Sequence, residues 1–226
     1  DEFGLNLVCL RGDFNQPLGK GHSYKIVSID DICADLKPYK EMVDKYGTPT
    51  VASGWCTSRM KEETHDKYCN DKYGKGNYQT WIGIRADEPR RLGGIGKKET
   101  LKYMAEITDA EKQDILNYWS KMPFDLGIDE WLGNCVFCFK KSNLKLAAAQ
   151  RDEPELYMQW LDMVEAAPDR NKRDGQTSMN MYRKKLTLPE LIATFDGSTG
   201  KEIKARIRGS KMIDTNSCSE SCEVFN

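Results

Sequence analysis

The sequence predicts an α/β protein, with a parallel sheet flanked by helices and a mostly helical C-terminal part. In the first half of the chain, short apolar runs alternate with segments of helical periodicity, the order typical of parallel α/β units. In the second half, helix start signals recur and dominate the pattern. We place the boundary near residue 125. This gives an α/β core over 1–125 and a helical region with paired cysteines over 126–226.

The composition restricts the classes of function. The 34 Lys and Arg residues nearly balance the 35 Asp and Glu residues, and the formal charge of −1 excludes binding to nucleic acid by bulk charge. No apolar run approaches the 18 residues of a membrane-spanning helix. Eight cysteines in 226 residues are too sparse for a disulfide scaffold and fit a reducing compartment. We therefore expect a soluble cytoplasmic protein with no membrane partner.

The first elements follow from local patterns. Residues 4–10 form an apolar run with no cap before it, which predicts a buried strand and suggests that an upstream segment is missing. Residues 24–27 predict a short strand. Ser28 predicts the N-cap of a helix with apolar residues on one face, and Pro38 begins a second helix that Gly47 ends.

Three more elements complete the predicted core. Residues 50–52 predict a short strand, and a polar helix runs from about 57 to 73, where Gly74 ends it. Residues 78–84 carry the best strand pattern in the chain. Ligands of parallel sheets bind at the carboxyl ends of strands, so the residues after position 84 are the first candidates for a site.

Four helix starts define the second half. Capping boxes begin helices at Thr108 and at Thr187, Ser142 caps a helix over 142–151, and Pro154 opens the next. The helices that begin at Ser142 and Pro154 carry Leu, Ala and aromatic residues at helical spacing, which predicts a helical core.

The first charged cluster lies at the start of the 57–73 helix. Arg59 and Lys61 follow two hydroxyl residues in its first turn. Helix N-termini bind anions, and these cations would add charge-assisted hydrogen bonds to phosphate or sulfate oxygens. Taken alone, the segment also fits a capped surface helix with solvated cations.

The second charged cluster follows the 78–84 strand. It contains Arg85, Arg90 and Arg91 with the carboxylates of Asp87 and Glu88. Arginine binds phosphate and sulfate bidentately, and the carboxylates can hold the guanidinium groups in place. The alternative is a charged loop with surface ion pairs, but the position after an apolar strand favours a ligand site.

Two cysteine pairs predict a metal centre. Cys135 and Cys138 form a C-x2-C pair, and Cys218 with Cys222 could complete four soft ligands for Zn or an iron–sulfur cluster. A redox dithiol or simple buried thiols remain open as alternatives, and Cys56 is a substitute ligand.

The other cysteines and the histidines fit structural roles. Cys9 and Cys33 lie in apolar contexts that predict core positions. His22 and His65 are not spaced as a metal pair, so we interpret both as surface or structural residues.

Three segments together resemble the phosphoadenosine phosphosulfate (PAPS) reductase family, and more closely its uncharacterised bacteriophage members. They are Cys-Thr-Ser-Arg-Met-Lys at 56–61, Ile-Gly-Ile-Arg-Ala-Asp-Glu-Pro-Arg-Arg at 82–91 and Gly-Asn-Cys-Val-Phe-Cys at 133–138. The resemblance implies the adenine nucleotide α-hydrolase fold, with ATP or PAPS bound at the ends of a parallel sheet. It implies that phosphate or sulfate oxygens are held by Arg59, Lys61, Arg85, Arg90 and Arg91.

The resemblance also implies a reaction. With ATP, an acceptor would attack the α-phosphorus and pyrophosphate would leave, aided by Arg85 and Mg²⁺; with PAPS, the Cys222 thiolate would attack sulfur. Two departures bear on this choice. The Ser-Gly-Gly-rich pyrophosphate loop of the family is absent, and the tail reads Glu-Ser-Cys-Glu at 220–223 instead of the reductase motif Glu-Cys-Gly-(Leu/Ile)-His. The added C-x2-C pair resembles those of relatives in which a cluster accompanies sulfur transfer to nucleic acid.

Two other functions remain open. A metal-stabilised module without turnover could bind nucleic acid or a host partner through the basic residues Lys140, Lys141, Lys145, Arg183, Lys184 and Lys185. A phage protein that sequesters a host nucleotide signal is the third hypothesis.

Overall fold

The computed structural model describes residues 3–32, 35–94, 99–170 and 175–209. In these stretches the protein is a mixed α/β molecule. Its helices are α1 (Lys37–Tyr46), α2 (Glu63–Tyr73), α3 (Lys112–Trp119), α4 (Asn143–Asp152), α5 (Pro154–Glu165), α6 (Leu188–Ala193) and α7 (Gly200–Gly209). Its strands are β1 (Cys9–Asp13), β2 (Ser23–Val27), β3 (Thr80–Ile82) and β4 (Leu101–Tyr103). A search of the described residues finds no helix with the length and hydropathy needed to span a bilayer.

The chain forms two compact units, each built from two separate stretches. The first unit combines Asp1–Lys75 with Met158–Thr187, and the second combines Gly76–Tyr157 with Leu188–Asn226, of which residues up to 209 are described. The predicted boundary near residue 125 falls inside the second unit.

The first unit contains a two-stranded antiparallel sheet. β1 and β2 pair with Cys9 opposite Val27 and Asp13 opposite Ser23. This pairing corrects the prediction that the strand of residues 24–27 belongs to a parallel sheet. α1 and α2 pack against these strands, and α1 contributes the fully buried Met42 and Val43 to the core.

Three predicted elements of the first unit are shorter than predicted or absent. Residues 4–8 form no strand, and the Leu5 and Leu7 side chains are largely exposed. Ser28 does cap a helix, accepting a hydrogen bond from the Asp30 N–H, but that helix is a single 3-10 turn, Ile29–Asp31. Residues 50–52 form only an isolated bridge between Thr50 and Ser53.

The second unit contains the one parallel strand pair of the described residues. β3 and β4 pair with Thr80 opposite Leu101 and Ile82 opposite Tyr103. Just past β3, Ile84 packs with Leu101 and Tyr103 in a buried cluster. β3 is shorter than the strand predicted over 78–84, but the prediction of a parallel strand here is confirmed.

Two helices of the second unit, α4 and α6, begin where the sequence predicts. The Ser142 hydroxyl accepts a hydrogen bond from the Lys145 N–H and caps α4. α4 packs against α6 and α7, and its buried residues include Ala147, Ala148 and Ala149, whose small side chains allow close helix contact. α3 begins at Lys112 with a capping box on Glu111 and Asp114, three residues later than the predicted box at Thr108.

Candidate functional site

The predicted arginine cluster lies at the carboxyl end of β3. The chain leaves β3 at Ile82, buries Ile84 in the strand-pair core, and then presents Arg85. A short 3-10 helix, Pro89–Gly94, follows and carries Arg91. The Arg85 and Arg91 side chains are only 17% and 10% exposed. Both guanidinium groups are therefore held against the protein and do not extend into solvent.

Asp87 fixes the orientation of Arg85. The Arg85 Nε donates to Asp87 Oδ1 at 2.7 Å and Nη2 donates to Oδ2 at 3.3 Å, a bidentate pair. The backbone N–H of Lys112, the first residue of α3, also donates to Asp87 Oδ2. The hydrogen bond from Arg85 is the main reason that the pKa of Asp87 lies below its usual value. Asp87 thus stays ionised and joins the cluster to the start of α3.

The buried carboxylate of Glu88 accepts hydrogen bonds from both arginines. Its side chain is 1% exposed, and its Oε2 accepts from the Arg85 backbone N–H at 3.2 Å while Oε1 accepts from Arg91 Nη1 at 2.8 Å. A buried carboxylate is stable only when its charge is paired and its oxygens accept hydrogen bonds. The sequence prediction that the carboxylates position the guanidinium groups is confirmed for Arg85 and Arg91.

One donor of the cluster has no acceptor in the part of the chain that the structure describes. The Arg91 Nε is buried and makes no hydrogen bond within the described residues. An unsatisfied donor on a buried cation is costly, because the group has lost its water without gaining a partner. Arg90 lies in the same 3-10 helix, but its side chain is outside the described part of the structure.

Arg59 and Lys61 lie in the first unit, in a π-helical segment, Ser58–Glu62, that leads into α2. The helix predicted over 57–73 is therefore confirmed, with a widened first turn. Arg59 Nη1 donates to Glu63 Oε1 at 2.5 Å, and the guanidinium lies 5.1 Å from the centre of the Tyr46 ring. Lys61 is exposed. The Arg59 guanidinium thus already pairs with the Glu63 carboxylate and contacts the Tyr46 ring.

The burial of His22, near this turn, was not predicted from the sequence. The His22 side chain is fully buried, with Nδ1 3.5 Å from Glu63 Oε2 and 3.5 Å from the Tyr46 hydroxyl. Its Nε2 makes no hydrogen bond in the described residues. Burial is the main cause of a lowered pKa for His22, with nearby Lys67 adding to it. The interpretation of His22 as structural is consistent with this position.

His65 and the remaining cysteines lie on different elements. His65 is on α2, where its Nε2 lies 3.5 Å from the Cys69 sulfur. Cys9 is half-buried in β1, and Cys33 lies outside the described residues. Burial raises the pKa of the Cys69 thiol, so that thiol is not activated as a nucleophile.

The C-x2-C pair forms a tight turn. The Cys138 N–H donates to the Cys135 carbonyl at 3.1 Å, and Asn134 before it takes a left-handed conformation with φ of 57°. Cys135 is exposed, whereas Cys138 is buried. Cys218 and Cys222, the other half of the predicted four-Cys site, lie outside the described residues.

This turn offers two of the four thiolates that Zn or an iron–sulfur cluster requires. Within the described stretches, no group of three or more His, Cys, Asp or Glu side chains is arranged to hold a metal ion. Cys56, the substitute ligand, belongs to the first unit and the C-x2-C turn to the second.

The basic residues of the alternative binding module do not share one environment. Lys141 and Lys145 are buried; Lys141 Nζ donates to the Trp131 carbonyl at 2.5 Å and Lys145 Nζ pairs with Glu130 at 2.7 Å. The prediction that these two lysines face a partner is therefore wrong. Arg183, Lys184 and Lys185 are exposed in the first unit, whereas Lys140 is half-exposed in the second.

Comparisons with known proteins identify a phage relative. The chain is 41% identical over 224 residues to the uncharacterized nin region protein ORF290 of Escherichia phage lambda, and the alignment covers 98% of this chain and 76% of the lambda protein. The chain belongs to the ORF290 family. No family model matches it, and no solved structure matches it. The resemblance to PAPS reductases therefore stays a prediction for this member of the ORF290 family.

Proposed function

We propose that the protein is an adenine-nucleotide-binding enzyme of the PAPS reductase type, which binds ATP or a sulfonucleotide at the arginine cluster after β3. The support comes from position and chemistry. Arg85 and Arg91 follow the carboxyl end of a parallel strand, where ligands of parallel sheets bind. Carboxylates preset both guanidinium groups, so little side-chain entropy would be lost on binding.

The unsatisfied Nε of Arg91 is the observation on which this proposal depends most. Arg85 and Arg91 carry two positive charges that Asp87 and Glu88 offset. An anionic oxygen of the nucleotide would add an acceptor for the Arg91 Nε–H, which has none in the described residues. Phosphate and sulfate oxygens are strong acceptors of this kind.

In the proposed reaction, the arginines stabilise negative charge on the nucleotide. With ATP, an acceptor attacks the α-phosphorus, the bond to the bridging oxygen breaks, and pyrophosphate leaves with the electron pair. Mg²⁺ accompanies ATP. The proposal also takes Cys135 and Cys138, with Cys218 and Cys222, as ligands of Zn or an iron–sulfur cluster, and keeps Cys222 as the sulfur nucleophile if PAPS is the substrate.

Titration calorimetry with ATP, AMP and PAPS tests the nucleotide site. We expect binding of at least one of them, and a loss of about tenfold or more in affinity, roughly 1.4 kcal/mol, in Arg91→Lys. This variant keeps the cation that pairs with Glu88 but removes the Nε donor and the planar fork. Arg85→Ala should weaken the binding of the same nucleotide.

Arg206→Lys is the matched control, because Arg206 lies on α7 with its guanidinium 6.0 Å from the centre of the Phe195 ring. It should leave nucleotide affinity at the wild-type value. Unchanged affinity in folded Arg91→Lys and Arg85→Ala would overturn the assignment of the site.

A further inference from the structure

A basic cavity of about 640 Å³ opens beside the start of α7 in the second unit. Four cationic side chains line it, and a single carboxylate accompanies them. These residues are Arg151, Lys201, Lys204 and Arg208, with Asp152. Thr199 and Gly200, where α7 begins, line the same cavity. The positive end of the helix dipole therefore lies at a surface that is already basic.

Internal contacts fix three of these cations. Arg151 Nη2 donates to the Phe195 carbonyl at 2.9 Å and to the Ser198 carbonyl at 3.3 Å, which holds it between α4 and the loop before α7. These acceptors are neutral, so the charge of Arg151 is not cancelled by them.

The other two fixed cations, Lys204 and Arg208, contact the ring of Trp131. Lys204 Nζ and the Arg208 guanidinium lie 5.4 Å and 5.8 Å from the centre of its ring. Asp152 accepts from Lys204 at 2.5 Å and from the Trp131 Nε1 at 2.8 Å. The single carboxylate of the cavity is thus occupied, and Arg151, Lys201 and Arg208 leave a net positive charge.

The spacing of these cations selects an extended anion. Lys201, Lys204 and Arg208 are three, then four, residues apart, so they form one stripe along α7 that spans about 10 Å. A single phosphate would need cations that converge on one point. A stripe of this length fits successive phosphates of one strand.

We infer that this cavity binds the phosphodiester backbone of a nucleic acid. These residues were not predicted from the sequence, although cations at i, i+3 and i+7 after the Thr199 cap mark them. Phosphate contacts carry no sequence information, and Trp131 is buried beneath the cations and offers no face for base stacking. Binding is therefore independent of base sequence and sensitive to salt. This inference does not depend on the proposed nucleotide site.

Fluorescence anisotropy with labelled 20-nucleotide single strands and duplexes, in DNA and RNA, tests it. We expect wild-type protein to bind, with affinity that falls as salt rises. The double variant Lys201→Gln/Arg208→Gln should bind about tenfold more weakly near 100 mM salt, and its salt slope should decrease by about 0.7 to 0.9 per lost phosphate contact. Lys204 is left intact because its ion pair with Asp152 supports the fold.

The matched control is Lys121→Gln/Arg206→Gln, which removes the same charge from the same unit outside the cavity lining. It should bind nearly as wild type. The inference is wrong if both double variants lose affinity equally, or if the wild-type protein binds no oligonucleotide. Displacement of the oligonucleotide by low-millimolar inorganic phosphate would instead indicate a small-anion site and would also overturn it. Arg91→Lys should leave oligonucleotide binding unchanged, which separates this result from the nucleotide test.

Discussion

The buried His22 side chain makes the stability of the fold depend on pH. Its imidazole packs against the Phe14 ring, with 5.0 Å between ring centres. The groups that face it are the Glu63 carboxylate, the Tyr46 hydroxyl and the cations Arg59, Lys45 and Lys67. Because burial lowers its pKa from 6.5, the folded protein holds His22 neutral at pH values where the unfolded chain begins to protonate it.

This shift predicts an acid-sensitive fold. As pH falls below about 6.5, the unfolded chain binds the proton first, so the free energy of unfolding decreases until the pH reaches the lower folded pKa. Urea unfolding followed by tryptophan fluorescence from pH 8 to pH 5 measures this loss. In His22→Phe the loss should be smaller, because the titrating group is gone.

Met42→Ala is the control for this experiment, since Met42 is fully buried on α1 and carries no charge. It should destabilise the protein by about 2 to 5 kcal/mol at every pH and keep the wild-type pH slope. Equal slopes in wild type and His22→Phe would assign the acid sensitivity to other groups.

At the residue scale, the sequence predicted the chemistry of the arginine cluster but not its pairing. That Asp87 and Glu88 orient arginines followed from their adjacency, whereas the pairing of the Arg91 guanidinium with Glu88 depends on the 3-10 helix that carries Arg91. The burial of Lys141 depends on the Trp131 carbonyl, ten residues away, which no local pattern indicates.

Gly47 sets the end of α1. It has φ of 82°, a conformation in which L side chains are strained, and a Cβ there would lie 3.1 Å from the Arg170 Cβ and 3.2 Å from the Pro168 carbonyl oxygen. Gly47→Ala should therefore destabilise the protein by roughly 2 to 3 kcal/mol, measured by urea unfolding.

Gly76→Ala is the control that separates backbone strain from steric contact as causes of this destabilisation. Gly76 has φ of 80°, but a Cβ would meet nothing within 4 Å. Gly76→Ala should cost only the backbone strain, about 1 kcal/mol. Equal losses at both positions would show that the contacts with residues 168 and 170 add nothing.

At the element scale, helices were predicted better than strands for a physical reason. The signals of α1, α4 and α5 are local: Pro38, Ser142 and Pro154 act within one turn of the helix that they begin. A strand is stabilised by its partner, and β4 (Leu101–Tyr103) has only three residues, so its pairing with β3 was not visible in the sequence. For the same reason, the strand predicted over 4–10 begins only at Cys9.

At the scale of the whole molecule, the sequence could not predict how the chain divides. Each unit is made of two stretches, because the chain returns to the first unit at Met158 and leaves it again after Thr187. Composition changes along the sequence mark a boundary only when a unit is one continuous stretch. The helical character of the second half was predicted correctly, but it does not define a separate unit.

The proposed metal centre makes a prediction at this scale, since it joins cysteines distant in sequence. We expect purified protein to contain stoichiometric Zn or iron, measured by elemental analysis, and a brown sample absorbing near 400 nm would identify the iron–sulfur form. Cys135→Ser and Cys222→Ser should each lose most of the metal, because three thiolates bind far more weakly than four. Metal removal should lower the melting temperature, since the centre closes a long loop.

Cys9→Ser provides the comparison, because Cys9 lies in β1 of the first unit, away from the C-x2-C turn in the chain. It should retain full metal content. Full metal content in both Cys135→Ser and Cys222→Ser would contradict the four-Cys assignment. The Cys135–Cys138 turn would then be a local structural feature. Cys138 would be a buried core residue, as are its sequence neighbours Phe137 and Phe139.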